Sequence, residues 1–168
     1  MHVPDGFLDA PTSLATAGVA AVGVAIALKG ARREVDDRVA PLAGLVATFV
    51  FATQMLNFPV AGGTSGHLMG GALAAVLVGP YTGLLCLTVV LAVQSLLFAD
   101  GGITALGTNV VLMGVVTVVV GYVAFRGVQL VLPRRLSMVA PAAALGALTS
   151  VVLSAATWLR TCPPTLVK

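Results

Sequence analysis

Charge is what this sequence has least of: its 168 residues include nine Lys+Arg and six Asp+Glu, 9% of the chain. A soluble domain is about a quarter charged, so these side chains cannot cover a water-facing surface of this size, and a soluble globular fold is excluded. Cysteine is equally scarce. Cys86 lies inside an apolar run and Cys162 near the end, with neither the number nor the spacing of a disulfide framework or a thiolate metal site. Histidine occurs twice, as His2 and His67. The stretch Met1–Ser13 carries Asp5 and Asp9 but no Lys or Arg, the reverse of a signal-peptide n-region, so Met1 is expected to be kept.

What is present is apolar: 58% of residues, with a mean hydropathy of +1.05. Apolar segments fall at 12–29, 40–57, 67–79, 80–98, 103–131 and 138–159. A helix of about 20 residues crosses a hydrocarbon core of about 30 Å. The pattern therefore predicts an all-α fold, a single polytopic transmembrane helical bundle over residues 1–168 with about six spans bathed in lipid. Six spans leave no room for a nucleotide-binding domain, so any ATP hydrolysis must come from another chain. The net charge of +3 would hint at nucleic acid in a soluble protein; here it reads as membrane topology, and no nucleic-acid partner is expected. The segment 67–79 is too short to cross alone and follows the Gly-rich Ala61–Gly66. Part of that crossing is expected to be loop, which membrane depth tolerates only where it is buried in protein or lines a cavity.

Lys29, Arg32, Arg33 and Arg38 cluster between the first two segments, and Arg126, Arg134 and Arg135 between the last two. By the positive-inside rule both loops are cytoplasmic. Alternation then puts the N-terminal tail, the 57–67 loop and the Asp100-Gly101-Gly102 turn on the outer side of the cytoplasmic membrane. Three polar, Gly-rich segments holding both histidines on one face suggest one site.

His2 sits where chelation is favourable. The amine of Met1, the amide nitrogen of His2 and its imidazole Nδ1 can bind one ion through a five-membered and a six-membered ring. Three nitrogens then lie in a plane, a geometry suited to Ni(II) or Cu(II), with Co(II) acceptable, and His67 can fill the fourth position. Such a site disfavours Mg(II) and Ca(II), which prefer six or more oxygens. An amide nitrogen must lose its proton, so binding weakens as pH falls. Residues 1–11 therefore read as a metal-binding arm, with Val3-Pro4-Asp5-Gly6-Phe7 as a turn that tucks it back, and residues 57–67 as a metal-binding loop. Asn57, Thr64, Ser65, Gln94 and Asp100 are candidates to support the imidazoles; Gln94, costly in lipid, should face the bundle interior. Ala17, Ala21 and Ala25 form a small-residue stripe that permits close helix packing. Two rival readings are a stand-alone permease or channel and an intramembrane serine hydrolase built on Gly63-Thr64-Ser65-Gly66. The hydrolase lacks a general base, because no His follows His67.

Met1-His2-Val3-Pro4-Asp5-Gly6-Phe7-Leu8, Asn57-Phe58-Pro59-Val60 with Gly63-Thr64-Ser65-Gly66-His67-Leu68, Gln94 through Thr104, and Leu106-Gly107-Thr108-Asn109 together resemble the CbiM/NikM family over roughly residues 1–157. These are substrate-specific membrane components of energy-coupling factor transporters for cobalt and nickel. The resemblance implies ATP-driven uptake of Co(II) or Ni(II) with no hydrolysis by this chain, serving cobalamin synthesis or nickel enzymes. It implies metal ligation by Met1, His2 and His67. The implied partners are a CbiQ-like coupling subunit, CbiO-like ATPase subunits and a small CbiN-like membrane subunit. Two features depart from the family. Leu112-Met113-Gly114 stands where Asn-Met-Gly is usual, and the familiar pattern, usually of about seven spans, stops after Ala156. Residues 157–168 thus read as an atypical, truncated or frameshifted end.

Overall fold

The computed structural model describes residues 2–56, 58–60 and 64–131. Met1, Asn57, the expected span 138–159 and the atypical segment 157–168 lie outside the described residues. Helix α1 runs Ala10–Ala31, opening with a proline in its first turn, where the missing N–H would have no intrahelical acceptor anyway. Asp36 then accepts the main-chain N–H groups of Arg38 and Val39 at 2.9 and 2.7 Å, and α2 follows as Val39–Gln54. Its carboxylate thereby satisfies donors that a helix start leaves free. An antiparallel hairpin of β1 (Phe58–Val60) and β2 (Thr64–Gly66) pairs Phe58 with Gly66 and Val60 with Thr64.

The short third segment is helical only over α3, Gly71–Val78, so the irregular stretch His67–Gly70 that follows the hairpin takes the place of its first turn. Gly79, at φ +93°, separates it from α4, Pro80–Leu97. The fifth segment is one crossing, Leu106–Gly127, but its turns are not uniform. It begins as α5 (Leu106–Asn109), widens into a π segment (Val110–Val116) and continues as α6 (Thr117–Val131). The all-helical bundle expected from composition is therefore the framework, with the small hairpin added at one end.

Helix α4 is central: Leu87 and Val90 pack with Val46 and Val50 of α2, Leu91 with Ala20 of α1 and Met113, and Leu84 with Ala27 and Val118. Small residues let α3 press into this core. A Cβ on Gly83 would lie 2.9 Å from the Ala75 nitrogen, and one on Gly121 would lie 2.4 Å from the Ala72 Cβ. The buried face of α1 is Ala20, Ala27 and Ala31; of the Ala17–Ala21–Ala25 stripe, Ala17 packs closely on Gly107, where a Cβ would lie 2.5 Å from the Ala17 Cα, while Ala21 and Ala25 are exposed. Leu14, Val22 and Ile26 of α1, Leu45 and Phe49 of α2, and Val89 and Leu96 of α4 also point outward. Such an apolar exterior is unfavourable in water and matches a hydrocarbon surround. Among the described residues three helices, Ala10–Ala31, Pro80–Leu97 and Leu106–Gly127, are long and apolar enough to cross a membrane.

Candidate metal centre

The N-terminal arm, the stretch after β2 and the turn after α4 meet at one end of the bundle. The imidazoles of His2 and His67 stack with centroids 5.2 Å apart and planes 20° from parallel. His2 Nδ1 lies 2.9 Å from Asp100 Oδ1, and His67 Nδ1 lies 3.1 Å from the Leu68 carbonyl. A carbonyl only accepts, so His67 Nδ1 carries the proton, and a carboxylate imposes the same on His2. In both rings the lone pair is then on Nε2, and both Nε2 atoms are buried without a hydrogen-bond partner. Desolvation pushes both imidazoles below their ordinary value, opposed at His2 by the Asp100 hydrogen bond and at His67 by the Leu68 carbonyl. Neutral imidazoles with buried, unpaired nitrogens suit a first-row divalent transition-metal ion.

Gln94 is fully buried one helical turn beyond Val90; its amide makes no hydrogen bond of ordinary geometry but lies close enough to His2 to act on the imidazole. Its orientation into the protein is the one expected from the cost of an amide in lipid. Gln54, also fully buried, donates to the Met69 carbonyl at 2.8 Å while its own oxygen stays unpaired. Thr64 and Ser65 lie in β2, opposite Val60 and Pro59. Among the described residues no three His, Cys, Asp or Glu side chains gather as a metal cluster.

The arm is held by residues that composition and spacing did not single out. Val3, 5% exposed, donates its N–H to Asn109 Oδ1 at 2.9 Å, and its carbonyl accepts Gly102 N–H at 2.8 Å and Asn109 Nδ2 at 3.2 Å. Asp5 accepts both the N–H and the hydroxyl of Thr104, which keep its carboxyl below the usual range. Thr16 and Thr108 hydroxyls meet at 2.7 Å, tying α1 to α5. The available signal was polarity in an apolar run: Thr108 and Asn109 open a 22-residue crossing and are both buried.

Comparison with known proteins gives a consistent result. The family described as "Cobalt uptake substrate-specific transmembrane region", CbiM, matches residues 2–162. A Haloquadratum walsbyi protein whose name assigns it to metal transport is 48% identical over 126 residues, 75% of this chain and 58% of the relative. The fused nickel transport protein NikMN of Rhodobacter capsulatus is 35% identical over 159 residues, 92% of this chain and 46% of the relative. The crystal structure of a truncated transition metal transporter superposes with a TM-score of 0.82 at 31% identity, covering 92% of this chain and 71% of that one. The chain spans about half the length of the curated relatives it matches.

Proposed function

The chain belongs to the CbiM family, and from that premise we propose that it is the substrate-capture component of an ATP-driven energy-coupling factor importer, taking Co(II) first and Ni(II) next. The observation that carries this reading is the facing of His2 and His67, stacked at 5.2 Å with unpaired buried nitrogens. The Met1 amine, the His2 amide nitrogen and His2 Nδ1 chelate the ion, and His67 closes the plane. Because Asp100 holds His2 Nδ1 in the metal-free arrangement, capture turns the imidazole over. The ring must also change tautomer, Nδ1 giving up its proton and Nε2 taking one, so that Nδ1 meets the metal while Nε2–H donates to Asp100 or to the Gln94 side-chain oxygen. Such a hydrogen bond fixes the tautomer and raises the basicity of the ligand.

The chain itself hydrolyses nothing. A CbiQ-like coupling protein, CbiO-like ATPases and a small CbiN-like subunit supply the work in the cytoplasmic membrane, with the metal site facing outward. Family relatives are named as transport proteins for nickel or other metals, which supports transport rather than catalysis. Elemental analysis of the purified protein tests the site. One metal per chain is expected, and His2→Ala, His67→Ala or a residue inserted before Met1 should each abolish it. Retention of stoichiometric metal through all three changes overturns the assignment.

A further inference from the structure

Asn109 is a carboxamide 3% exposed at the last residue of α5, in a crossing where a polar side chain is unfavourable unless it is partnered. Both ends of its amide are used on the backbone of a single residue. Oδ1 accepts Val3 N–H at 2.9 Å and Nδ2 donates to the Val3 carbonyl at 3.2 Å. A side chain here replaces a neighbouring β-strand, giving an arm with no regular structure one strand-like contact. Val3 N–H belongs to the peptide plane that also carries the His2 carbonyl, so holding it fixes the rotation about the His2 Cα–C bond. On the other side of His2 Cα stands the amide nitrogen assigned to the metal. Gly101 completes the fit: a Cβ there would come 2.9 Å from His2 Cβ and 3.2 Å from Asn109 Nδ2.

The backbone after Asn109 explains its aim. The π segment starts at Val110, and the Thr117 hydroxyl covers the Met113 carbonyl within the widened turn. One extra residue in a helix turns everything before it by about 100° relative to everything after it. In an unbroken α-helix, the face of α6 that seats Gly121 on Ala72 and an Asn109 side chain on Val3 could not both be kept.

We infer that Asn109 is a positioning residue for metal capture, clamping Val3 so that the His2 main chain and ring are presented in one geometry to the ion. This rests on the proposed chelate at His2. Full-length protein in detergent, stripped of metal, is titrated with Ni(II), reading the dissociation constant and, at saturation, the visible d–d band that reports a planar nitrogen field. Asn109→Ala is expected to weaken Ni(II) binding about tenfold or more and to shift the band. Asn109→Asp, which still accepts from Val3 N–H but cannot donate to its carbonyl, should fall between. A saturated band reports the geometry around the ion, so a residue that merely stabilised the fold would leave it unmoved. Affinity within about twofold of the parent with an unchanged band overturns the role of Asn109; if the alanine variant does not fold, the same result for the near-isosteric Asn109→Asp overturns it. His2→Ala is measured beside them: if it keeps the parent's affinity and band, the chelate reading fails and the clamp with it, whereas loss in His2→Ala with an unaffected Asn109 variant sinks the clamp alone.

Discussion

Two imidazoles stacked at 5.2 Å with buried Nε2 atoms are poor proton acceptors, and that sets a pH signature. Desolvation holds both below the ordinary 6.5 in the folded protein, so beneath that value the unfolded chain binds more protons. Their contribution to stability is fully present above about pH 6.5 and is lost as pH falls through the lowered folded values. Metal-free protein in detergent should melt at lower temperature on acidification from about pH 7.5 to about pH 5. A His2→Ala, His67→Ala double variant should lose less over the same interval; parallel losses would contradict the assignment. Gly101 supplies a second test. Its φ of +103° strains any side chain, and a Cβ would press on His2, whereas Gly6, at φ +77°, has nothing within 4 Å. Gly101→Ala should weaken Ni(II) binding by about tenfold or more, while Gly6→Ala adds only backbone strain of about 1–2 kcal/mol; metal titration of the two side by side decides. The histidines were legible in the sequence because they are rare and topology put them on one face. Which nitrogen each presents was not, because Asp100 and the Leu68 carbonyl set the tautomers through space.

At the scale of elements, the end of the bundle opposite the histidines is stapled by one carboxylate. Glu34, after α1, accepts the N–H groups of Tyr81 and Thr82 at 3.3 and 2.7 Å and the Thr82 hydroxyl at 2.9 Å. It thereby caps α4 and faces the positive end of its dipole. Gly79 leaves the space, since a Cβ there would lie 2.5 Å from the Glu34 carboxyl carbon. Glu34→Ala should cost about 1–2 kcal/mol of stability, seen as a lower melting temperature. Metal stoichiometry should hold, because α4 is 18 residues, about 27 Å, long and the staple sits at its far end from Asp100. Loss of metal in a folded Glu34→Ala protein would mean that the two ends communicate. Hydropathy located the described helices to within a few residues, since a hydrocarbon solvent demands long apolar runs. It also placed a loop before the short α3, because a segment too brief to cross needs another backbone to finish it. Missing from that signal were the hairpin of three residues per strand and the π segment. A π turn leaves the apolar count of a span unchanged and is fixed by which side chains must meet, here Asn109 with Val3 at one end and Gly121 with Ala72 at the other.

For the molecule as a whole, the two ends differ in charge as well as in chemistry. Lys29, Arg32, Arg33 and Arg38 lie at the end away from His2, and Arg126, its guanidinium 6.0 Å from the Tyr122 ring centre, lies near the same end of α6. That asymmetry accords with the proposed outward site, and the proposed chelate of four nitrogens would retain its ion rather than conduct it, since conduction needs weak, serial sites. On the proposed function, delivery inward requires the arm to be pulled from its Asn109 and Thr104 contacts by work done elsewhere. The 168 residues, 9% charged, hold no stretch polar enough for a nucleotide-binding domain. Cells carrying this chain with the proposed coupling and ATPase subunits should accumulate radiolabelled cobalt or nickel. Replacing the phosphate-binding lysine of the ATPase should bring uptake to background while the chain, purified from the same cells, still carries one metal. Uptake at an undiminished rate with the crippled ATPase would make the chain a stand-alone carrier. Its site would then have to release metal on both sides unaided, which the clamp of Asn109 on Val3 opposes.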